Sequence, residues 1–230
     1  MKFRFGFVAA TALAVLTGCA TPPQNPVALS SSVFVEQGAR VGVAMTKLPK
    51  VDTSFPGAGC LLCAAAASVA NSSLTTHTQT LPADDLVRLK ADVAAALAKK
   101  GMVPVVIDGD LNVDDLPKSS STVPNAARKD FSSIKAKYQL DKLLVVELSQ
   151  VGIVRTYSAY IPTSDPKGTV TGSSYIVNLK DNSYEWYLPL AAQKSAQGAW
   201  DEAPKFPGLS NAYFLAVEEA RDAILLPLAN

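Results

Sequence analysis

The chain has 230 residues, about half of them apolar and 7% aromatic, with 21 basic against 20 acidic side chains. That is enough chain for one ordinary domain with a real core. The near-zero balance excludes a field that gathers nucleic acid or an anionic bilayer, and the low aromatic content argues against a stacking platform for single strands.

Lys2 and Arg4 precede an uncharged run of 12 residues, Phe5 to Leu16. A helix needs about 20 apolar residues to span a bilayer, so this run has the length of a signal-peptide core instead. It ends in Leu16-Thr17-Gly18-Cys19. These four residues resemble the lipobox of bacterial lipoproteins, with small residues at 17 and 18 for a peptidase pocket and a thiol at Cys19. The resemblance implies that residues 1–18 are a cleaved signal peptide. It also implies a diacylglyceryl thioether on Cys19 and a third chain, of the palmitate class, on its amine. Two or more chains anchor stably, whereas one does so marginally. Ala20, not aspartate, follows the cysteine, which in Gram-negative lipoproteins resembles the class sorted to the outer membrane. The domain is then expected in the periplasm. Losing Lys2 and Arg4 leaves 19 basic residues against 20 acidic.

Residues 19–37 read as the lipidated cysteine and a tether. Thr21 to Ser32 is rich in proline, serine and small polar residues, a semi-extended composition. Residues 38–230 read as a single domain. Arg40 to Thr46 predicts a valine-rich strand, and residues 47–58, with Pro49, Pro56 and Gly57, predict a loop. Residues 57–80 form an insertion, apolar at first and then polar. After Pro82, Leu86, Leu89, Val93 and Leu97 recur at helical spacing. Asp84 and Asp85 at the start, Lys99 and Lys100 at the end and Gly101 beyond suit a helix dipole and C-cap. Val103 to Ile107 predicts a strand. Asn125 to Tyr138 predicts a helix with Ala127, Phe131, Ile134 and Tyr138 on one face. Lys142 to Leu148 predicts a strand covered on both sides.

Further on, Val151 to Ile161, Thr169 to Leu179 and Tyr184 to Leu190 predict antiparallel strands, the last two joined by a turn at Lys180-Asp181-Asn182-Ser183. Alternation puts Tyr184, Trp186 and Leu188 on one buried face. Ser210 is the expected N-cap of a last helix striped by Tyr213, Phe214, Val217, Ala220 and Ile224. The fold class is therefore α/β with α+β character in its second half. A strand-helix-strand-helix-strand start and antiparallel hairpin strands share a mixed sheet, closed by a C-terminal helix.

From the opening valine-rich strand, the helix ending in Gly101, and the late hairpin with Lys180-Asp181 and Trp186, the pattern over residues 38–228 resembles small α/β envelope lipoproteins. These are the penicillin-binding-protein activator lipoproteins, the curli secretion lipoprotein and the N-terminal domain of the TolB translocation protein. The resemblance brings no catalytic motif, so no functional residue is carried over.

Four features invite chemistry. Cys60 and Cys63 form a CxxC, a spacing that lets two thiols close a disulfide in an oxidising compartment. A redox-active dithiol is the sharper alternative, but no long helix or nearby cation follows. The apolar run from Cys60 to Ala70 reads either as a core segment on the sheet or as a contact patch for a subunit, a partner or the membrane surface. Asp108 to Asp115 imitates the start of a calcium loop, but Val113 stands where glycine is needed and Ser119 where glutamate is needed. A solvated acidic loop is the better reading. His77 is the only histidine and lacks a nucleophile elbow beside it, so it reads as an ordinary surface or loop residue. Two cysteines and one histidine cannot fill a structural zinc site, so neither metal nor cofactor is expected.

These features favour a lipid-anchored, non-catalytic module that binds a protein partner in the cell envelope. One alternative is a subunit of a homo-oligomeric secretion or pore complex, with residues 57–80 at the contact. The other is a thiol-redox protein using Cys60 and Cys63.

Overall fold

Residues 23–229 are described by the computed structural model. Residues 1–18, Cys19 and Ala20 lie outside the described residues. Chain order sets up a mixed sheet. Strand β1 (Arg40–Met45) pairs parallel with the first half of β4 (Lys142–Val154), and β2 (Val51–Ser54) pairs parallel with its second half. Residues 47–58 were expected to be loop throughout. The length of β4 explains the difference, because its edge beyond Val146 carries backbone groups that β1 does not reach and β2 satisfies.

Between β2 and the first long helix lie α1 (Leu61–Ala70) and α2 (Ser72–Thr78). Helix α3 (Asp84–Lys99) follows and buries Leu86, Leu89, Val93 and Leu97, the stripe its periodicity predicts. It leads to β3 (Val103–Val106) on the outer side of β1, and α4 (Ser132–Tyr138) then leads across to β4. A small hairpin, β5 (Tyr157–Ser158) and β6 (Ile161–Pro162), precedes β7 (Lys167–Asn178) and β8 (Ser183–Ser195), and α5 (Pro207–Ala229) closes the chain. The strand order is β3-β1-β4-β7-β8, with β4, β7 and β8 antiparallel. The mixed α/β sheet and terminal helix follow the expected class.

Each face of the sheet buries its own core. Helices α3 and α5 cover Val41, Val43, Leu144, Val146, Ile176 and Trp186 on one side. Phe131 and Ile134 cover Leu143, Val145, Tyr175 and Val177 on the other. At Gly168 α5 comes close against the sheet, since a β-carbon there would collide with the backbone of Ala212 and Tyr213.

Two bulges correct the expected strand phases. The pairing of β4 with β7 skips Ser149, so Leu144, Val146 and Leu148 before it, and Val151 and Ile153 after it, all face α3 and α5. One continuous strand thus reads as two in the sequence, because the alternation changes phase at the extra residue. In β8 the pairing skips Glu185, with Trp186 opposite Ile176 and Tyr184 opposite Val177. Tyr184 and Trp186 therefore face opposite cores, not the common face that simple alternation assigns.

The helix expected over residues 125–138 is confined to α4. Asn125 has φ +56°, Ala126 bridges Ser183, and the Asn182 carbonyl accepts from Ala127 N–H at 2.8 Å. The hairpin turn thus takes the backbone groups that a longer helix needs. Helix α5 begins at Pro207, so Ser210 lies inside its first turn and is not its N-cap. Within the stretch read as a tether, Val27 pairs with Tyr187 on the free edge of β8 and Val33 is buried in the core.

Candidate functional site

Two places in the described residues could serve as a site. The first is the end of the sheet beyond Ser54 and Val154. There Tyr157 N–H donates to Pro56 O at 2.8 Å and Ala159 N–H donates to Gly57 O at 3.1 Å, which stitches the β5–β6 hairpin to the start of α1. Cys60 and Cys63 are joined as a disulfide, with α-carbons 4.9 Å apart. Cys60 is the exposed N-cap of α1, its sulfur accepting from Cys63 N–H at 2.9 Å, while Cys63 is buried. Cys63 and Ala67 are the inward stripe of α1 and pack on Ala58 and Tyr157, a small cluster separate from both faces of the sheet. Asn71 fixes the far end, donating to Tyr157 Oη and Ala67 O at 2.7 Å each and accepting from Arg155 Nη1 at 3.0 Å.

That small cluster overturns one reading of the apolar run: it is not a core segment on the sheet. Leu61, Leu62 and Val69 are 87%, 71% and 76% exposed, and the adjoining Tyr160 and Ile161 are 55% and 68% exposed. A groove of about 510 Å³ between α1, α2 and β2 flanks this end, lined by Asp52, Phe55, Ala64 and Thr75 among others. Chemically, this end can shed water from apolar surface.

The second place was missed in the sequence. β1 connects to β3 over one face and β3 connects to β4 over the other, so the connections reverse at the carboxyl end of β1. In open α/β sheets such a reversal leaves a crevice. Here it is a cleft of about 440 Å³ lined by Thr46, Lys47, Leu111, Asn112, Glu147 and Ser149. An adjoining pocket of about 260 Å³ shares Val113, Asp114 and Glu147 and reaches Arg128, Tyr184 and Tyr187. The signal was available: Glu147 is the one charge among the apolar residues after Lys142 in the covered strand.

Glu147 Oε2 accepts from Tyr175 Oη at 3.2 Å. Tyr175 stacks on Tyr187 (centroids 5.8 Å, planes 16° apart) and meets Tyr184 edge-on at 5.4 Å. Burial raises the Glu147 pKa above the ordinary carboxylate range; Asp114 adds to the rise, and the Tyr175 bond and Lys129 oppose it. Burial and the same carboxylate hold the Tyr175 phenol protonated. A carboxylate drawn partly out of water beside aromatic rings is suited to receive a donor or a cation from a ligand.

The acidic loop borders this cleft and is organised by lysines. Lys90 Nζ donates to Ile107 O and Gly109 O at 2.9 and 2.8 Å, and Lys129 Nζ to Asp114 O and Leu116 O at 2.8 and 3.0 Å. Those carbonyls are thus engaged by ammonium groups. Among the described residues, no group of three or more His, Cys, Asp or Glu side chains is placed to hold a metal ion. His77 lies in α2 and not in a loop, with Nε2 2.7 Å from Ser210 Oγ. The Ser210 hydroxyl also lies 3.1 Å from Phe206 O and 3.4 Å from Lys205 O, and which of His77 and Ser210 donates to the other follows the His77 tautomer. The pair pins α2 to α5.

No protein-family model matches the chain, and no curated protein matches it in sequence. Among solved structures it is similar to lipoprotein GNA1162 from Neisseria meningitidis, at 11% identity and a TM-score of 0.35, over 79% of this chain and 96% of that one. It is also similar to the hypothetical protein CT253 from Chlamydia trachomatis, at 9% identity and a TM-score of 0.36, over 83% and 96% of the two chains.

Proposed function

We propose that this chain is a bacterial lipoprotein, exported, cut before Cys19 and acylated there, whose α/β domain works at the outer membrane as a non-catalytic binding or assembly module. The observation that carries the reading is the register of Lys2 and Arg4, the 12-residue apolar run and Leu16-Thr17-Gly18-Cys19. Among the described residues no helix is long and apolar enough to cross a membrane. Labelling cells with tagged palmitate tests the anchor: label on the native chain and none on Cys19→Ala is expected. Label that survives the substitution refutes it.

The cleft beside Glu147 supports the binding half of the reading, as a seat for a donor-bearing segment of a protein partner. A photo-crosslinker in place of Asn112, on the cleft wall, tests this. One envelope adduct is expected, lost when Glu147→Lys reverses the charge. An adduct indifferent to that change refutes the seat.

A thiol-redox role is the second reading, favoured by one observation: Cys60 is exposed at a helix N-terminus with Cys63 buried behind it. The reduction potential separates the two. A structural bond lies below about −300 mV, and catalytic pairs lie above that.

A further inference from the structure

Five of the eleven large apolar side chains exposed among the described residues lie in two segments at one end of the domain: Leu61, Leu62 and Val69 of α1, and Tyr160 and Ile161 of the hairpin. Cys60 Sγ lies 3.7 Å from Tyr160 Oη, so the tip of the helix and the tip of the hairpin form one surface. The two segments themselves carry no charge, and Arg155, bonded to Asn71 behind them, and Lys167 stand at their border. No Asp, Glu, Lys or Arg occurs over residues 53–83 or 156–164. A surface of this composition is costly to leave in water, and a bare apolar patch of this kind marks a contact site.

The direction of the chain indicates what it contacts. β8 runs from Ser183 to Ser195, and Ser195, Lys167, Val154 and Ser54 stand level across the sheet at the end that carries α1. Val27 pairs antiparallel to β8 at Tyr187, through bonds of 3.0 and 2.9 Å. At that bridge the chain, traced backward, therefore heads for the same end. Cys19 is eight residues before Val27, a length that reaches at most about 28 Å. The eight steps of β8 from Tyr187 to Ser195 rise about 27 Å. The anchor is thus long enough to stand level with the uncharged end.

We infer that the uncharged apolar end, α1 with the β5–β6 hairpin, lies against the bilayer in which Cys19 is anchored. The inference rests on the lipid-anchor reading and deepens it. The acyl chains supply retention, and Leu61, Leu62, Tyr160 and Ile161 set the orientation by entering the interfacial layer. Amphipathic surface helices use Lys and Arg to find anionic headgroups. This surface has neither, so its contact is with hydrocarbon and is indifferent to lipid charge and to salt. The cleft beside Glu147 lies seven residues back along β4 from Val154, about 20 Å from that end.

The test uses the acylated full chain in phosphatidylcholine vesicles, with and without brominated acyl chains, and reads tryptophan quenching. Leu62→Trp reports on the proposed face. Leu226→Trp, also exposed and about 21 Å further along α5 than Ala212, reports on the opposite end. The unsubstituted chain, with Trp186 and Trp200, gives the background. Emission from Leu62→Trp is expected to fall about twofold in brominated vesicles while Leu226→Trp is unchanged. Equal emission from both, in chain that still floats with the vesicles, overturns the inference and leaves the anchor standing. The same result with a dimer in crosslinking assigns the face to a second copy. Chain that does not float at all overturns the anchor reading, and this inference with it.

Discussion

The Lys142 ammonium lies 2.9 and 2.7 Å from the two carboxylate oxygens of Glu185, with only 5% of one side chain and 20% of the other exposed. Asn178 Nδ2 donates a third bond to the same carboxylate at 3.0 Å. Glu185 is the residue that the β8 bulge leaves without an opposite number. The irregularity in the ladder and the pair are therefore one device. Removing one partner strands the other charge out of water, which costs about 3–5 kcal/mol, whereas replacing both by apolar groups is often neutral. Lys142→Met is expected to destabilise by about 3 kcal/mol, and Lys142→Met with Glu185→Leu to recover most of it. Urea denaturation measures this; losses that simply add would show the two charges uncoupled.

The same bulge shows what the sequence does and does not reveal. Elements with one unbroken period, such as α3 with Leu86, Leu89, Val93 and Leu97, are legible because every turn repeats the same buried stripe. β4 is not, because the extra Ser149 inverts its phase halfway. Residues 125–131 carry apolar spacing that suits a helix, yet their backbone groups bond to the turn at Asn182, a tertiary choice no local pattern encodes. The site divides in the same way. The CxxC and its apolar run are visible as strings, but their exposure depends on which neighbour covers them. The Glu147 cleft draws on residues from 46 to 187, so only the lone charge in an apolar strand betrays it.

Asn182 is expected to be the keystone of the irregular segment on the α4 face. It sits in the hairpin turn at φ +60°, where asparagine is tolerated. Its Nδ2 donates to Lys129 O at 2.8 Å and Ser119 Oγ at 2.9 Å, and its Oδ1 accepts from Phe131 N–H at 3.2 Å. Asn182→Gly keeps the backbone and removes all three bonds. A loss of about 1–3 kcal/mol is expected, with hydrogen exchange quickened over residues 118–131 more than in β7 and β8. Uniform quickening would mean that the turn itself had failed.

Glu147 gives stability a pH dependence of defined sign. Burial raises its pKa in the folded state, so the native chain holds this proton more tightly than the unfolded chain does. The contribution is full below the unfolded carboxylate value and is lost as pH rises through the folded one. Glu147→Gln keeps an acceptor for Tyr175 Oη and cannot ionise. It is expected to raise Tm at neutral pH, and the gain is expected to vanish below about pH 4. Melting curves across that range decide it, since a gain that persists in acid would come from packing.

The Cys60–Cys63 bond is expected to matter locally. Its ring is short, so the chain-entropy contribution is about 2 kcal/mol. Only Cys63 and Ala67 of α1 are buried, and they touch a cluster apart from both faces of the sheet. The Cys60→Ala/Cys63→Ala chain should therefore keep the main unfolding transition within about 2 kcal/mol. It loses the sulfur that caps Cys63 N–H as well as the crosslink, so the first turn of α1 should fray. Proteolysis in native buffer is then expected to nick residues 61–70 in the double variant and to spare the oxidised chain. Fraying carries Leu61 and Leu62 out of the surface they share with Tyr160. The double variant should therefore also blunt the Leu62→Trp quenching in brominated vesicles while flotation through Cys19 is kept. Intact quenching with a nicked α1 would show that the tip holds its place without the bond.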